Sequence, residues 1–553
     1  MPALKKISLA VLCVCIFTFC KRSPTTWEDD VVAPLATGSL TLANLFPDTT
    51  IKTNTDSSLK IAFETSLINY QLDSLLKIPD TTVTTSFTFP GLNGYIITPN
   101  ENIPTNLTST TNVTENVYNL PNGIQLKKAI VKQGKIHYLM TNTVYQPLVY
   151  HYQLLSATKN NHILDTIFNL PKADSVTGQT HPISGFIDLA GYTIDFTGMN
   201  HSSFNTTDEI DSVHIAPNAQ PIGHIYNNQG FNAQFTFEGI VPQYAVGYFG
   251  SQSIAVGPDT ANFTAFNTIK KGLLNLNSAN VNVNIVNQFG VTMKANISQL
   301  ASINTNNPSV TTLTCTNGQL NNLIVPLAFD NNGPNNPVVN ISPGLLSINL
   351  NNSNSNIKDF IGNLPNRLSY KLTAQINPPF GPNGGNGNQS GNNDFGYYGT
   401  GFSANLSMDV PLYFSASNLM LADTVSLNVS NVSQLQNVNK GNLILTATNQ
   451  YPFSIYLTAV LLDENKQPID NLFSNPSLIE APALDANGKV ISPLKSRLLI
   501  PLNPQKITNV QKARYVAYSA TFNTANQPTQ VKFYSNYTLD LLLTADLNYT
   551  IGK

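Results

Sequence analysis

Three times along this chain an alternating apolar run ends in an asparagine, turns a short corner and restarts as a second apolar run. Asn280 to Asn287 is followed by Gln288-Phe289-Gly290, then Val291-Thr292-Met293. Leu443 to Asn449 is followed by Gln450-Tyr451-Pro452, then Phe453-Ser454-Ile455. A more distant copy runs Lys135 to Asn142, then Tyr145 to Tyr150. Period-two alternation places one set of side chains on a core and the other in water, so each copy reads as two strands joined by a bend. An asparagine at the bend tolerates left-handed backbone and hydrogen-bonds its own turn. Asn142, Asn287 and Asn449 are therefore the predicted structural turns. They lie 145 and 162 residues apart, a domain-sized period far above the roughly 20–50 residues of a solenoid repeat.

The expected fold class is all-β: tandem β-sandwiches of immunoglobulin-like build with a few short helices. The 34 prolines and 32 glycines suit many short strands. One helix is predicted within Ser353–Leu364, where Ile357, Phe360, Ile361 and Leu364 share a face and Pro365 stops it. A comparable stretch starts near Ile507. The repeats divide the chain into 131–275, 276–435 and 436–553, with a separate N-terminal β region and tether over 20–130. Residues 377–401, rich in Gly and Asn, read as a flexible loop inserted in the second repeat.

The first 19 residues read as a signal peptide. Lys5 and Lys6 precede an apolar run from Ile7 to Phe19, too short for a bilayer that needs about twenty residues. Cys20 follows at the position of a lipid-modified cysteine. With Cys13 and Cys15 removed, Cys315 is the other cysteine left, and no intramolecular disulfide forms. An N-terminal lipid makes the membrane the first expected partner.

The strand-Asn-turn-strand signature resembles the late-embryogenesis-abundant type 2 domain, a small β-sandwich. More weakly, the pairing of such motifs with a helix between them resembles elongated lipid-binding tubular proteins. The short signal, Cys20, the acidic Trp27-Glu28-Asp29-Asp30 stretch and Ala33-Pro34-Leu35 resemble uncharacterised lipoproteins of Bacteroidota. That resemblance implies an outer-membrane lipoprotein, periplasmic or surface-facing, and carries no known activity.

The search for chemistry finds little. There is no phosphate loop, no nucleophile elbow, no HExxH and no CxxC. Asp208-Glu209-Asp211 is the nearest approach to a calcium loop, lacks the Gly and distal Glu, and reads as a surface turn. No pair of carboxylates stands out for glycoside hydrolysis. All seven histidines (His137, His151, His162, His181, His201, His214 and His224) fall in the first repeat. A metal or pH-sensitive patch competes there with a compositional quirk of polar strand positions, which is preferred, so no metal and no cofactor are expected. Asp-Ser or Asp-Thr followed by an aliphatic residue or Thr occurs eight times, resembling the O-glycosylation acceptor of exported Bacteroidota proteins. The candidate acceptors are Thr49, Ser74, Thr81, Thr166, Ser175, Ser212, Thr260 and Thr424.

Charged residues are only 11% of the chain and the net charge is −2, which leaves no basic surplus for a phosphate backbone and argues against nucleic acid. Three functions compete. The first is a non-catalytic envelope lipoprotein: a scaffold, adhesin or accessory subunit that meets other envelope proteins. The second is a glycan- or lipid-binding lipoprotein, and the third a glycan-active enzyme. An aromatic platform would favour the second, and a buried carboxylate pair in a cleft the third.

Overall fold

The computed structural model describes residues 27–42, 45–46, 50–71, 76, 78–88, 95–98, 100, 113–220, 223–267, 269, 271–333, 336, 338–379, 390–428, 438–524 and 530–551. The fold is all-β, and every ladder between its strands is antiparallel. The strands of the N-terminal segment include β1 (Trp27–Thr41), β2 (Leu59–Gln71), β3 (Thr81–Thr88) and β4 (Thr114–Val117). None of them forms a sheet of its own with the others. Each completes a sandwich built by residues far away in sequence.

The first sandwich adds β5 (Gln125–Asn142), β6 (Leu148–Lys159), β7 (His162–Leu170), β8 (Ile183–Asp188), β9 (Thr206–Ile215) and β10 (Gly230–Tyr248). The strands run β3-β10-β5-β8 on one side and β4-β9-β6-β7 on the other, and the short strand Thr193–Asp195 pairs with both β5 and β6, joining the two into one continuous sheet. The second sandwich uses β11 (Gln252–Asn262), β12 (Asn280–Asn287), β13 (Met293–Asn304), β14 (Ser309–Thr312), β15 (Leu323–Val325), β16 (Gly344–Leu350), β17 (Arg367–Ile376) and β19 (Gly401–Pro411), while β18 (Asp394–Tyr397), which precedes β19, pairs with β10 of the first sandwich. The sheets of the second sandwich run β2-β19-β12-β16 and β11-β17-β13, with β14 and β15 sharing the outer edge of β13.

The third sandwich uses β20 (Leu419–Ser426), β21 (Val438–Asn449), β22 (Ile455–Leu462), β23 (Pro468–Asn471), β24 (Ser477–Ile479), β25 (Leu494–Pro501), β26 (Tyr515–Phe522) and β27 (Thr538–Ile551). The order repeats: β1-β27-β21-β25 faces β20-β26-β22, with β23 and β24 on the edge of β22. Alternation makes this possible. In β12, Val281, Val283, Ile285 and Asn287 are buried while Asn280, Asn282, Asn284 and Val286 are exposed or half-buried, so a single face commits to the core.

Two expectations are corrected. The separate N-terminal β region does not exist as a unit. Its strands visit the third sandwich first, then the second, then the first, and the chain then returns in the opposite order. An isolated edge row of N–H and C=O groups is stabilised by whatever strand covers it, and here that strand comes from the far end of the chain. The boundaries near 275 and 435 also move back, because β11 pairs with β17 of the second sandwich and β20 with β26 of the third.

The Gly/Asn-rich loop is likewise more than an insertion. Residues 380–389 lie outside the described residues, but the flank that follows forms β18, fully buried and paired with Tyr244–Gly247 of the first sandwich. Phe395 and Tyr397 pack there with Ile130, Tyr244, Val246 and Ala328. Apart from this cluster, the main core is continuous from Leu35 to Leu547. Helix α1 (Ile357–Gly362) buries Ile357, Phe360 and Ile361 and is capped at Asn363; Leu364, just before Pro365, sits at φ +52. Helix α2 (Pro504–Lys512) is capped by Asn503, whose side chain accepts from the Lys506 N–H at 2.8 Å.

Candidate functional site

The three turn asparagines end β5, β12 and β21, and each makes the same three hydrogen bonds. The Oδ1 atoms of Asn142, Asn287 and Asn449 accept from the backbone N–H two residues on, at Val144, Phe289 and Tyr451 (2.8, 3.0 and 2.9 Å). Their Nδ2 atoms donate to the carbonyl four residues on, at Gln146, Val291 and Phe453 (2.9, 2.8 and 3.0 Å). A second Nδ2 bond reaches the carbonyls of Pro171, Pro326 and Glu480 (3.0, 2.8 and 2.9 Å). Those three residues directly follow β7, β15 and β24. One side chain thus joins the end of a strand in one sheet to two strands of the other. None of the three has a positive φ, so left-handed backbone plays no part in their role. All three are essentially without solvent exposure, where a three-bond amide satisfies groups that water cannot reach.

The other sequence-predicted residues scatter. Cys20, Thr49 and Ser74 lie outside the described residues. Ser175, Thr260 and Thr424 are exposed, whereas Thr81, Thr166 and Ser212 are half-buried. Thr260 and Thr424 sit on edge strands, each with its backbone N–H bonded to the preceding aspartate. The histidines do not converge. His151 pairs with Asp165 at 2.6 Å, His137 lies 3.5 Å from Glu238, and His201 lies 3.7 Å from Asp195. Among the described residues no three His, Cys, Asp or Glu side chains gather around one point. Cys315 is a free thiol whose partial burial raises its pKa.

The expected surface turn at Asp208-Glu209-Asp211 is instead the middle of β9. Val213 and Ile215 lie opposite Tyr150 and Leu148 in the register with β6, and the pleat then turns Glu209 and Asp211 inward as well. Both carboxylates are buried, at 2% and 6% exposure. Thr85 of β3 donates to Asp211 Oδ2 at 3.3 Å. Tyr150 and Tyr152, on β6, are fully buried, and their hydroxyls sit against Asp211 and Glu209 respectively. Burial pushes the Glu209 carboxyl up to about 7, helped by the charge of Asp211, and pushes Asp211 up to about 6. No ion pair among the described residues involves either group. Sequence reading missed this cluster because three acids in four residues look solvent-facing. The signal available was the Val213-x-Ile215 phase, which carries back to Asp211 and Glu209.

A second feature lies on the outer face of the same sandwich. A bulge between β5 and β10 near Glu238 opens a cleft of about 810 Å³ lined by Asp80, Lys132, Lys135, Phe186, Asp188 and Glu238. Phe186 is 58% exposed. His137 stacks on its ring at 4.8 Å, and the Lys135 ammonium lies 3.8 Å from the ring centroid. Lys135 also lies 3.5 Å from Glu238. An apolar ring edge among three carboxylates and two ammoniums can meet a polar, hydroxylated ligand. Glu209 and Asp211 do not line this cleft.

No protein-family model matches the chain, and no curated protein matches it. Among solved structures, a protein of Parabacteroides distasonis described as secreted aligns at 13% identity and TM-score 0.26, covering 55% of this chain and 82% of its own. The VP2 protein of infectious bursal disease virus aligns at 9% identity and TM-score 0.09, covering 93% of this chain and 83% of its own. Likeness at this level carries no argument about function.

Proposed function

We propose that this chain is a non-catalytic cell-envelope lipoprotein of the outer membrane: a tethered scaffold or accessory subunit that holds its first sandwich away from the lipid surface. The observation that carries this reading is the pairing of β1 with β27, from Trp27↔Ile551 to Thr41↔Thr538. A chain anchored through Cys20 enters the fold at the third sandwich within a few residues. The first sandwich then stands at the opposite end of the strand path. Glycans at the exposed acceptors Ser175, Thr260 and Thr424 would solubilise a surface with few charges.

Two measurements test the reading. Cys20→Ser should abolish incorporation of labelled fatty acid and release the protein from the membrane fraction; label retained by this variant overturns the anchor. In the anchored protein, with Cys315→Ser, a fluorophore at Asn487 of the third sandwich should be quenched by lipid-borne quenchers. One at Val176 of the first sandwich should not be. Equal quenching overturns the orientation.

The cleft at Phe186 favours glycan binding as a second reading. Phe186→Ala should then remove retention on the envelope glycans that hold the wild type. Equal retention assigns the cleft no such role.

A further inference from the structure

We propose that a second copy of this chain docks on the apolar face built by Ile324, Leu327, Phe329, Val338, Val339 and Leu345, where the second sandwich meets the first. All six side chains are exposed, with Phe329 at 65% and Val338 and Leu345 at 64%. The chain folds back on itself here. Phe329 pairs with Ser342 and Asp330 with Ile341. Pro326 lies so close to Gly344 that a Cβ there would come within 1.9 Å of its carbonyl oxygen, which brings Leu327 beside Leu345. Together the six leave on the order of 500 Å² of apolar side chain in water, more than half of the roughly 800 Å² per partner that a standard complex buries. Apolar area gathered in one patch marks an interaction surface.

Charge and shape select a second copy as the occupant. From Ile324 to Leu350 the one charged residue is Asp330. Its carboxylate is already engaged, accepting from the Tyr397 hydroxyl at 3.0 Å and from the Asn332 and Gly333 N–H groups at 3.1 and 3.2 Å. A face without free charge does not repel its own copy. The edge strand β16 borders this face, and no strand covers its outer side among the described residues. The matching edges of the other two sandwiches are charged, with Asp188 on β8 and Lys495 and Arg497 on β25, a device that keeps edges apart. Strand β16 holds only Gly, Leu, Ser, Ile and Asn. Ser347 donating to Asn284 at 2.7 Å and Asn349 donating to Asn282 at 2.8 Å fix its outer face, so docking orders little that is not already ordered. Beside Phe329 opens a cleft of about 350 Å³ lined by Tyr244, Val246, Leu327, Asp330 and Phe395. A protruding ring next to a hollow that can take a ring is what a two-fold interface requires, because each copy offers the knob and the hole that the other needs. Phe329 of each copy fills the cleft of the other, and Val338, Val339 and Leu345 close the rim.

The test is sedimentation velocity of the full-length chain carrying Cys20→Ser, under reducing conditions that keep Cys315 a thiol. The sedimentation coefficient should rise with concentration from monomer to dimer. Phe329→Asp should raise the dissociation constant about a hundredfold or more, since it buries an unpaired charge. Leu345→Lys, at the rim, should raise it about tenfold. Val176→Asp, at an exposed position of the first sandwich, should leave it unchanged. All three sites are exposed in the single chain, so the variants should keep the wild-type circular dichroism spectrum. A wild type that stays monomeric up to about 100 µM, or a Phe329→Asp variant that associates as tightly as the wild type, overturns the proposal. Growth beyond the dimer overturns the closed two-fold pairing.

Discussion

Replacing Asn449 by Ala isolates what the repeated asparagine contributes. The side chain bonds the Tyr451 N–H, the Phe453 carbonyl and the Glu480 carbonyl. Tyr451 and Phe453 are buried, at 0% and 1% exposure, so their backbone groups have no access to water once the amide is gone. Each orphaned buried group costs about 1–3 kcal/mol. Glu480 is exposed, and its carbonyl can be hydrated at little cost. The sum is about 2–6 kcal/mol, a large fraction of the roughly 5–15 kcal/mol of an ordinary domain. The assay is urea unfolding of the full-length chain, with hydrogen exchange followed in peptides covering β21 and β22. The whole chain is required because β1 and β20 complete the third sandwich. Exchange should accelerate in the third sandwich, with the first unchanged. Asn487→Ala, at an exposed turn, should shift stability by no more than about 0.5 kcal/mol. If the two variants unfold at the same midpoint, the three shared hydrogen bonds are incidental. Asn142→Ala and Asn287→Ala should reproduce the loss in their own sandwiches.

Two further outcomes follow from the acid pair and from the donated strand. The Glu209 carboxyl moves from 4.5 to about 7 on folding, so the folded chain holds that proton more tightly. The associated stability is complete below about pH 4 and is lost as pH rises through about 7, a swing of up to about 3 kcal/mol. Glu209→Gln should reduce this dependence, leaving the part due to Asp211, and stabilise the first sandwich at pH 8; an unchanged pH profile contradicts the burial argument. Deleting residues 27–41 removes Leu35 and Leu40, both buried, and the Leu40 carbonyl that accepts from the Tyr451 hydroxyl at 3.1 Å. At about 1.5–3 kcal/mol per side chain, the third sandwich should lose about 3–6 kcal/mol, read as exchange in β27, while β5 to β10 keep their protection.

Local physics made part of this protein legible from sequence. Alternation set which residues face inward in β12 and β21, and the spacing of Ile357, Phe360 and Ile361 set the buried face of α1. The asparagines stood out because their bonds to residues two and four positions on are encoded within five residues. Their third bond was not legible: it reaches Pro171, Pro326 and Glu480 by sheet-to-sheet packing, and nothing near Asn449 specifies a carbonyl 31 residues away. The fate of Asp208-Glu209-Asp211 was hidden for the same reason, since hydrophilicity argues for water while the register to β6 decides the pleat. Most of all, the assignment of β1, β2 and β3 to three different sandwiches depends on pairings such as Trp27 with Ile551. A strand's own residues specify that it needs a partner edge; which edge it covers is settled only when the whole chain has folded.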